Sequence, residues 1–355
     1  MKKVLTRSFA TLFIFLCLGT FANIIADEWT EKVVVDKKFE INKNAKLVVD
    51  HEFGNVQCKN WDKNSVSVKV TVRAKTTDAQ KAEKIIKSVI VDVDGDKEKV
   101  TLECELNQKD SKNKNINVNI DVEIFMPKTV NLELENMFGT TYIESVSGQA
   151  KISCEYGSLE IGSLSNAENE LEVMFSETKI NSINNGKLEI GYSQLEIQTS
   201  NILSIESDYS ELSIDKANSI SFELEGGNLI LGEVDKLDIE SSFGSIEIST
   251  INNSLSSEMD YGALEVKNVG KDFSKIEIEN SFGLINLNIS NNITYNFEIE
   301  GEFLSFNYPD KNAKILHSNK DDFSTTVKGV IGKGSNPKSL ISIESEYGAI
   351  NLTAN

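Results

Sequence analysis

Through most of this 355-residue chain, apolar and polar residues alternate with period two, and the alternation is punctuated by an aromatic followed by Gly or Ser. Period-two alternation marks short strands with one buried face. The dipeptide stands at Phe138-Gly139, Tyr156-Gly157, Phe175-Ser176, Tyr192-Ser193, Tyr209-Ser210, Phe243-Gly244, Tyr261-Gly262 and Phe282-Gly283. Gly226-Gly227 occupies the position between Tyr209 and Phe243. Phe303-Leu304 continues the series, Tyr347-Gly348 ends it, and an earlier copy stands at Phe53-Gly54. The spacing is 17 to 19 residues from Phe138 to Tyr261 and then 21.

Apolar positions are fixed around each anchor. Four residues before it stand Leu134, Ile152, Leu171, Leu188, Ile205, Phe222, Ile239, Ile278 and Ile299. Three and five residues after it stand pairs such as Leu159/Ile161, Leu195/Ile197, Leu212/Ile214, Ile246/Ile248 and Leu264/Val266. The phase changes across the dipeptide. The Gly or Ser is therefore expected to bend the chain between two strands, with the aromatics stacked as an interior column.

Two short strands per repeat are too few for a propeller blade and too regular for a sandwich. The pattern predicts an all-β fold: a single-stranded parallel β-solenoid of about 17–21 residues per coil, right-handed by the usual preference of parallel crossovers. An antiparallel β-sandwich is the alternative. Eleven or so coils at about 4.8 Å each would make a rod on the order of 50 Å long.

The chain before the repeats reads differently. Trp29 to Val49 predicts two strands, and Val66 to Ala74 a third. A helix is predicted over 77–89, with Thr77 and Gln80 as a capping box and Ala82, Ile85, Ile86 and Val89 as its apolar stripe. Ile90–Asp94 and Lys99–Leu106 predict a hairpin turning at Asp94-Gly95. Lys109 to Asn115 reads as a polar loop, and Asn117 to Phe125 as a strand leading through Met126-Pro127 into the repeats. The organisation expected is a leader over 1–26, an N-terminal β cap with the first coil over 27–126, and repeats over 127–355. Such a cap would cover an open sheet edge.

Composition adds the compartment. Lys2, Lys3 and Arg7 precede an apolar run from Phe9 to Leu18, with small-residue cleavage sites after Ala22 or Ala26. That is the pattern of a secretory signal peptide, and it places the mature chain in a periplasm or outside the cell. Cys17 follows Leu16, whereas a lipobox needs a small residue there, so a lipoprotein is not expected. No later stretch reaches the roughly 20 apolar residues of a membrane span. The formal net charge is -19, and removing the three basic residues of the leader deepens it to -22. That charge argues against nucleic acid and anionic lipid as partners. Cys58, Cys104 and Cys154 share the phase of their apolar neighbours and read as buried small hydrophobes, with a Cys58–Cys104 bridge as the alternative.

Several of these pieces recur together: Leu47-Val48-Val49 before Phe53-Gly54-Asn55-Val56, then Trp61-Asp62, the helix near Ala79, Met126-Pro127, and the long series of Leu-x-Ile-Glu-x-x-Tyr/Phe-Gly-x-Leu-x-Ile units. Together they resemble the bacterial putative-adhesin family of β-strand-repeat proteins, a domain of unknown function. The resemblance spans the chain from about Ala45 onward. It implies a β-solenoid envelope protein and no catalytic residues.

The residues themselves offer little catalytic chemistry. His51 and His317 are far apart, and His51 is expected to be a partly buried, hydrogen-bonded side chain. Gly329 to Gly334 lacks the spacing of a phosphate loop and reads as a flexible turn. Asp92-Val93-Asp94-Gly95-Asp96 has its Gly two positions too early for a calcium loop. No cofactor is expected.

One feature is better ordered. Three residues before the anchors stand Glu172, Glu189, Glu206, Glu223, Glu240, Glu258, Glu279 and Glu300, with Glu135 and Glu344 at the two ends, all at an outward phase. Stacked about 4.8 Å apart, neighbours would repel by about 0.9 kcal/mol in bulk water. The column is either a solvated face that discourages sheet aggregation, or a ladder that collects Ca²⁺ or meets a cationic partner. The functional expectation is a non-catalytic envelope protein, adhesin-like or scaffold-like, that binds an envelope protein or glycan. A periplasmic accessory of a signalling or stress system is the alternative. A β-helix polysaccharide enzyme, which needs a carboxylate pair concentrated at one site, fits less well.

Overall fold

The computed structural model describes residues 28–76, 78–106, 117–334 and 337–354. The leader expected over 1–26, Thr77 of the expected capping box and the polar loop over 109–115 lie outside the described residues. The described chain is all-β with one α-helix, and its strands join in one mixed sheet.

The N-terminal region holds β1 (Glu28–Glu40), β2 (Lys46–Phe53), β3 (Val56–Asn60), β4 (Ser65–Thr76), α1 (Ala79–Ser88), β5 (Val89–Gly95), β6 (Lys99–Leu106) and β7 (Asn117–Met126). The repeats then run through β8 (Asn131–Phe138), β9 (Thr140–Val146), β10 (Ala150–Glu155), β11 (Ser158–Leu164), β12 (Asn169–Met174) and β13 (Glu177–Gly191). One long extended run, β14 (Gln194–Val269), passes through several repeats without a break and leads to β15 (Lys275–Ile289). The end comprises β16 (Tyr295–Glu302), β17 (Ser305–Asn307), β18 (Ala313–Lys320), β19 (Ser324–Ile331), β20 (Leu340–Glu346) and β21 (Ala349–Thr353).

Neighbouring repeats from β8 into the start of β14, and the end of β14 with β15, pair in parallel, like residue to like residue. Ile152 faces Leu134 on one side and Leu171 on the other. Leu171 pairs with Leu188, and Leu188 with Ile205. The second strands follow the same rule: Ile161 lies between Ile143 and Ile180, and Ile180 pairs with Ile197. All of these side chains are buried in one continuous core. Parallel in-register pairing places every apolar column opposite itself, which is why the core repeats without redesign.

The sheet changes character at both ends. The Phe53 coil, β2 and β3, lies against β8 and β9, with Phe53 opposite Phe138. Beyond it, β6 and β7 pair in parallel with β2 and β3. Antiparallel strands then take over: β5 on β6, β4 on β7 and β1 on β4. At the other end the spatial order departs from the chain order. β20 and β21 pair with β15, and β16 and β17 pair with β20 and β21. The Tyr347 coil is thus inserted between the Phe282 and Phe303 coils, and Phe303, not Tyr347, ends the stack. The hairpin of β18 and β19 lies outside β16, paired antiparallel. The chain leaves the stack, builds this hairpin, and returns to fill the place beside β15.

Three local expectations need correction. The helix is shorter than 77–89, and its cap is Asp78, whose carboxylate accepts from the amides of Gln80 and Lys81. A carboxylate one residue nearer the helix captures the two amides left free in the first turn. Ala82, Ile85 and Ile86 are buried as the stripe requires, whereas Val89 begins β5. The hairpin turn falls at Asp96–Glu98: Gly95 still pairs with Val100, and Asp96 accepts from the amides of Glu98 and Lys99. Gly329 belongs to β19, and its turn starts only at Gly332, whose φ is 108°.

Candidate functional site

The corner of each repeat decides what the molecule presents to solvent. Phe175, Tyr192 and Tyr209 adopt left-handed backbone, with φ of 51°, 50° and 46°. The following Ser176, Ser193 and Ser210 point inward and are buried. Their hydroxyls donate to their own strand at Met174 O (2.8 Å), Gly191 O (2.7 Å) and Asp208 O (2.8 Å). They also accept from the preceding coil: the amides of Gly157, Ser176 and Ser193 donate to Ser176, Ser193 and Ser210 at 3.0, 3.0 and 3.1 Å. A serine at this place thus satisfies backbone groups that the corner frees from the sheet.

Where glycine follows the aromatic, three corners shift the left-handed residue by one position: Gly54, Gly139 and Gly262 take φ of 126°, 144° and 147°. The interior is too tight for more. A Cβ on Gly157 would lie 2.0 Å from the Gly139 oxygen.

The aromatics consequently stand outside, which corrects the expected interior column. From Phe138 to Tyr347 the anchor rings are between 37% and 58% exposed. They are stacked nonetheless. Six rings run in order through Phe53, Phe138, Tyr156, Phe175, Tyr192 and Tyr209, with centroids 5.0 to 5.8 Å apart. Five more run through Phe243, Tyr261, Phe282, Tyr347 and Phe303 at 4.8 to 5.2 Å. Offset stacking at this spacing adds about 0.5–1.5 kcal/mol per pair beyond area burial. Inside each run the ring faces are covered by neighbouring rings, and ring edges meet water.

Beside the rings run the carboxylates. Glu172, Glu189, Glu206, Glu223, Glu240, Glu258, Glu279 and Glu300 are all exposed. Glu172 pairs with Glu189, Glu189 with Glu206, Glu258 with Glu279, and Glu344 with both Glu279 and Glu300. The column also continues past Glu135 to Asp50 and Glu103. It is interrupted at Ser153, which lies between Glu135 and Glu172. Lys187 relieves part of the repulsion by reaching Glu189 at 3.1 Å and Glu206 at 3.2 Å. At the N-terminal end the crowding is visible in protonation. Partial burial, with Glu103 and Glu52 nearby, holds the Asp50 carboxyl above its usual range. A hydrogen bond with Glu103 and its charge do the same to Glu105. Among the described residues no group of three or more His, Cys, Asp and Glu side chains is gathered closely enough to hold a metal ion.

The solved structures similar to this chain are distant. One, named a putative adhesin from Bacteroides fragilis, is 15% identical, covers 61% of this chain and 97% of its own, and has a TM-score of 0.44. Two more, also named putative adhesins, come from Parabacteroides distasonis and Parabacteroides merdae. The first is 12% identical, covers 74% and 98%, and scores 0.40. The second is 11% identical, covers 74% and 92%, and scores 0.35. No protein-family model and no curated protein matches the sequence.

The remaining candidates are structural. His51 is only 1% exposed, so it is fully rather than partly buried; the Ile120 backbone approaches its ring, but neither ring nitrogen makes a hydrogen bond of good geometry. Burial pushes its pKa down to about 4, and it is neutral at pH 7. His317 is exposed on β18. Cys58, Cys104 and Cys154 are free and buried, so Cys58 and Cys104 are not bridged. Burial raises the first two thiols to about 12. The ring ladder itself was missed by periodicity. Its signal was the small residue after every anchor aromatic but Phe303, together with acidic residues just before the aromatic at Glu155, Asp208, Asp260 and Glu346.

Proposed function

We propose that this chain is a non-catalytic binding protein of the cell envelope, wound as a right-handed parallel β-solenoid and working through the exposed corner of its coils. The observation that carries this reading is the ladder of stacked, exposed rings beside an in-register column of carboxylates. Two exposed aromatic runs of this length, parted only at Gly226, are unusual on a protein surface and mark an interaction face. Its groups recur at nearly every coil, the ring being absent at Gly226 and the carboxylate at Ser153, which suits an extended partner held at many weak points rather than a small substrate held at one. The neighbouring carboxylates favour a partner with apolar and cationic groups, an envelope protein or a basic glycan, and oppose nucleic acid. Export follows from the basic and apolar leader pattern, Lys2 to Ala26.

The non-catalytic part is supported by where reactive groups lie. The histidine nearest the carboxylate column is buried and neutral, the thiols are buried, and the carboxylates repeat evenly instead of converging on one pair. Isolated envelopes of the producing cells are expected to take up the purified chain saturably. Uptake that rises without saturation, or turnover of an acidic polysaccharide by the purified chain, would overturn the proposal.

A further inference from the structure

The ring ladder is broken once, at Gly226. The coil itself is intact there. A Cβ on Gly227 would lie 2.1 Å from the Ser210 oxygen, and one on Gly244 would lie 3.1 Å from the Gly227 oxygen, so the three corners are stacked in register. Gly226 has a φ of 80°, on the same left-handed side as Tyr209. It is the corner of a rung that carries no ring.

Two consequences follow. The Tyr209 and Phe243 corners are two strand spacings apart, about 9.5 Å along the stack, so a flat ring fits between them at ordinary rung distances once the Tyr209 ring, which now covers Gly226, swings back into line. These two residues are also the places inside the ladder where a ring face, and not only an edge, lacks an aromatic neighbour. Tyr209 leans into the break: a Cβ on Gly226 would be 3.1 Å from its Cδ1 and Cε1. Its stack on Tyr192 is the widest of the series, at 5.8 Å.

The charge around the break is of one sign. A shallow cleft of about 370 Å³ opens beside it, lined by Glu189, Glu206, Asp208, Glu223 and Glu225 with Met174 and Ile190. Lys187 engages Glu189 and Glu206. Among the described residues, Asp208, Glu223 and Glu225 have no cationic side chain within 4.0 Å.

We propose that this break is a binding slot for one flat, cationic aromatic group. The ring would complete the ladder between Tyr209 and Phe243, and its charge would face Asp208, Glu223 and Glu225. Two aromatic walls favour a π-surface over an aliphatic group, and the carboxylates favour positive charge over neutral or acidic rings. The slot rests on reading the ladder as the working face. The two fail separately, because envelope uptake draws on all the rungs and the slot on this break alone.

The test is a fluorescence titration of the full mature chain with proflavine, a flat aromatic cation. The expected result is one saturable site per chain, at least about tenfold weaker in Phe243→Ser, which removes a wall. Gly226→Phe, which supplies the missing rung, should have the same effect. Tyr209 must swing back to admit that ring, so Tyr209→Asn serves as a further variant if Gly226→Phe does not fold by circular dichroism. Asn tolerates left-handed backbone. Several equal sites per chain, undiminished binding by folded Gly226→Phe or by both wall variants, or displacement of the dye by equimolar tetramethylammonium would overturn the slot.

Discussion

At the scale of single residues, buried polar groups set the pH behaviour. His51 holds its proton far less readily when folded than when unfolded, with a pKa of about 4 against 6.5. The unfolded chain therefore binds the extra proton, and stability falls as pH drops from about 6.5 towards 4. The difference is on the order of 3 kcal/mol. Asp50 works in the opposite sense, because its folded carboxyl is the more easily protonated. Urea titrations of the native chain and His51→Leu should separate the two. The variant is expected to lose the His51 share of the slope between pH 7 and 5, and equal slopes would contradict the buried neutral imidazole. Thiol accessibility gives a second check. Cys58 and Cys104 should resist a thiol reagent at pH 8 in the folded chain and react fully in denaturant. The inward phase of His51 was legible in the sequence. Its poorly satisfied ring nitrogens were not, because alternation tells which face a residue occupies and nothing about what waits there.

At the scale of elements, the corner explains both what could be read and what was misread. The columns at Leu171, Leu188 and Ile205, and at Ile161, Ile180 and Ile197, were fixed by alternation and are buried as expected. The alternation counted from the two sides, however, leaves the aromatic and the residue after it competing for one interior place. Hydrophobicity favours the ring. Space decides for the small residue, because a neighbouring coil's backbone stands within van der Waals range of that site. Ser193→Ala should therefore be costly for so small a change. It removes the acceptor of the Ser176 amide and the donor to Gly191 O. Leaving those buried groups unpaired costs about 1–3 kcal/mol, read as a lowered urea midpoint. Gly157→Ala should cost at least as much, since its Cβ would overlap the Gly139 oxygen. The exchange of the last two rungs was not legible at all: the Tyr347 and Phe303 coils carry the same local pattern, and only the β18–β19 hairpin outside β16 decides which of them is inserted.

At the scale of the whole molecule, stacking turns a local motif into a surface. Parallel register brings rings that are far apart in sequence to within about 5 Å of each other, as with Phe53 and Phe138 or Phe282 and Tyr347. It does the same for the carboxylates, so the outward Glu column was legible as a column from spacing alone. Its neighbourhood was not, because placing the rings inside removed them from the surface. The antiparallel strands at both ends lie where an open parallel edge would otherwise pair with another chain. In the function proposed for this chain, the ring ladder is the working face. That assignment is tested most directly by measuring the affinity of the purified chain for isolated envelopes in two variants of equal thermal stability. One replaces Tyr156, Phe175 and Tyr347, all in left-handed backbone, by Asn. The other replaces Glu160, Lys179 and Glu196, outward residues of the second strands, by Gln. The first is expected to bind at least about tenfold more weakly, and the second to bind as the native chain does. Equal binding by the ladder variant and the native chain would contradict the assignment.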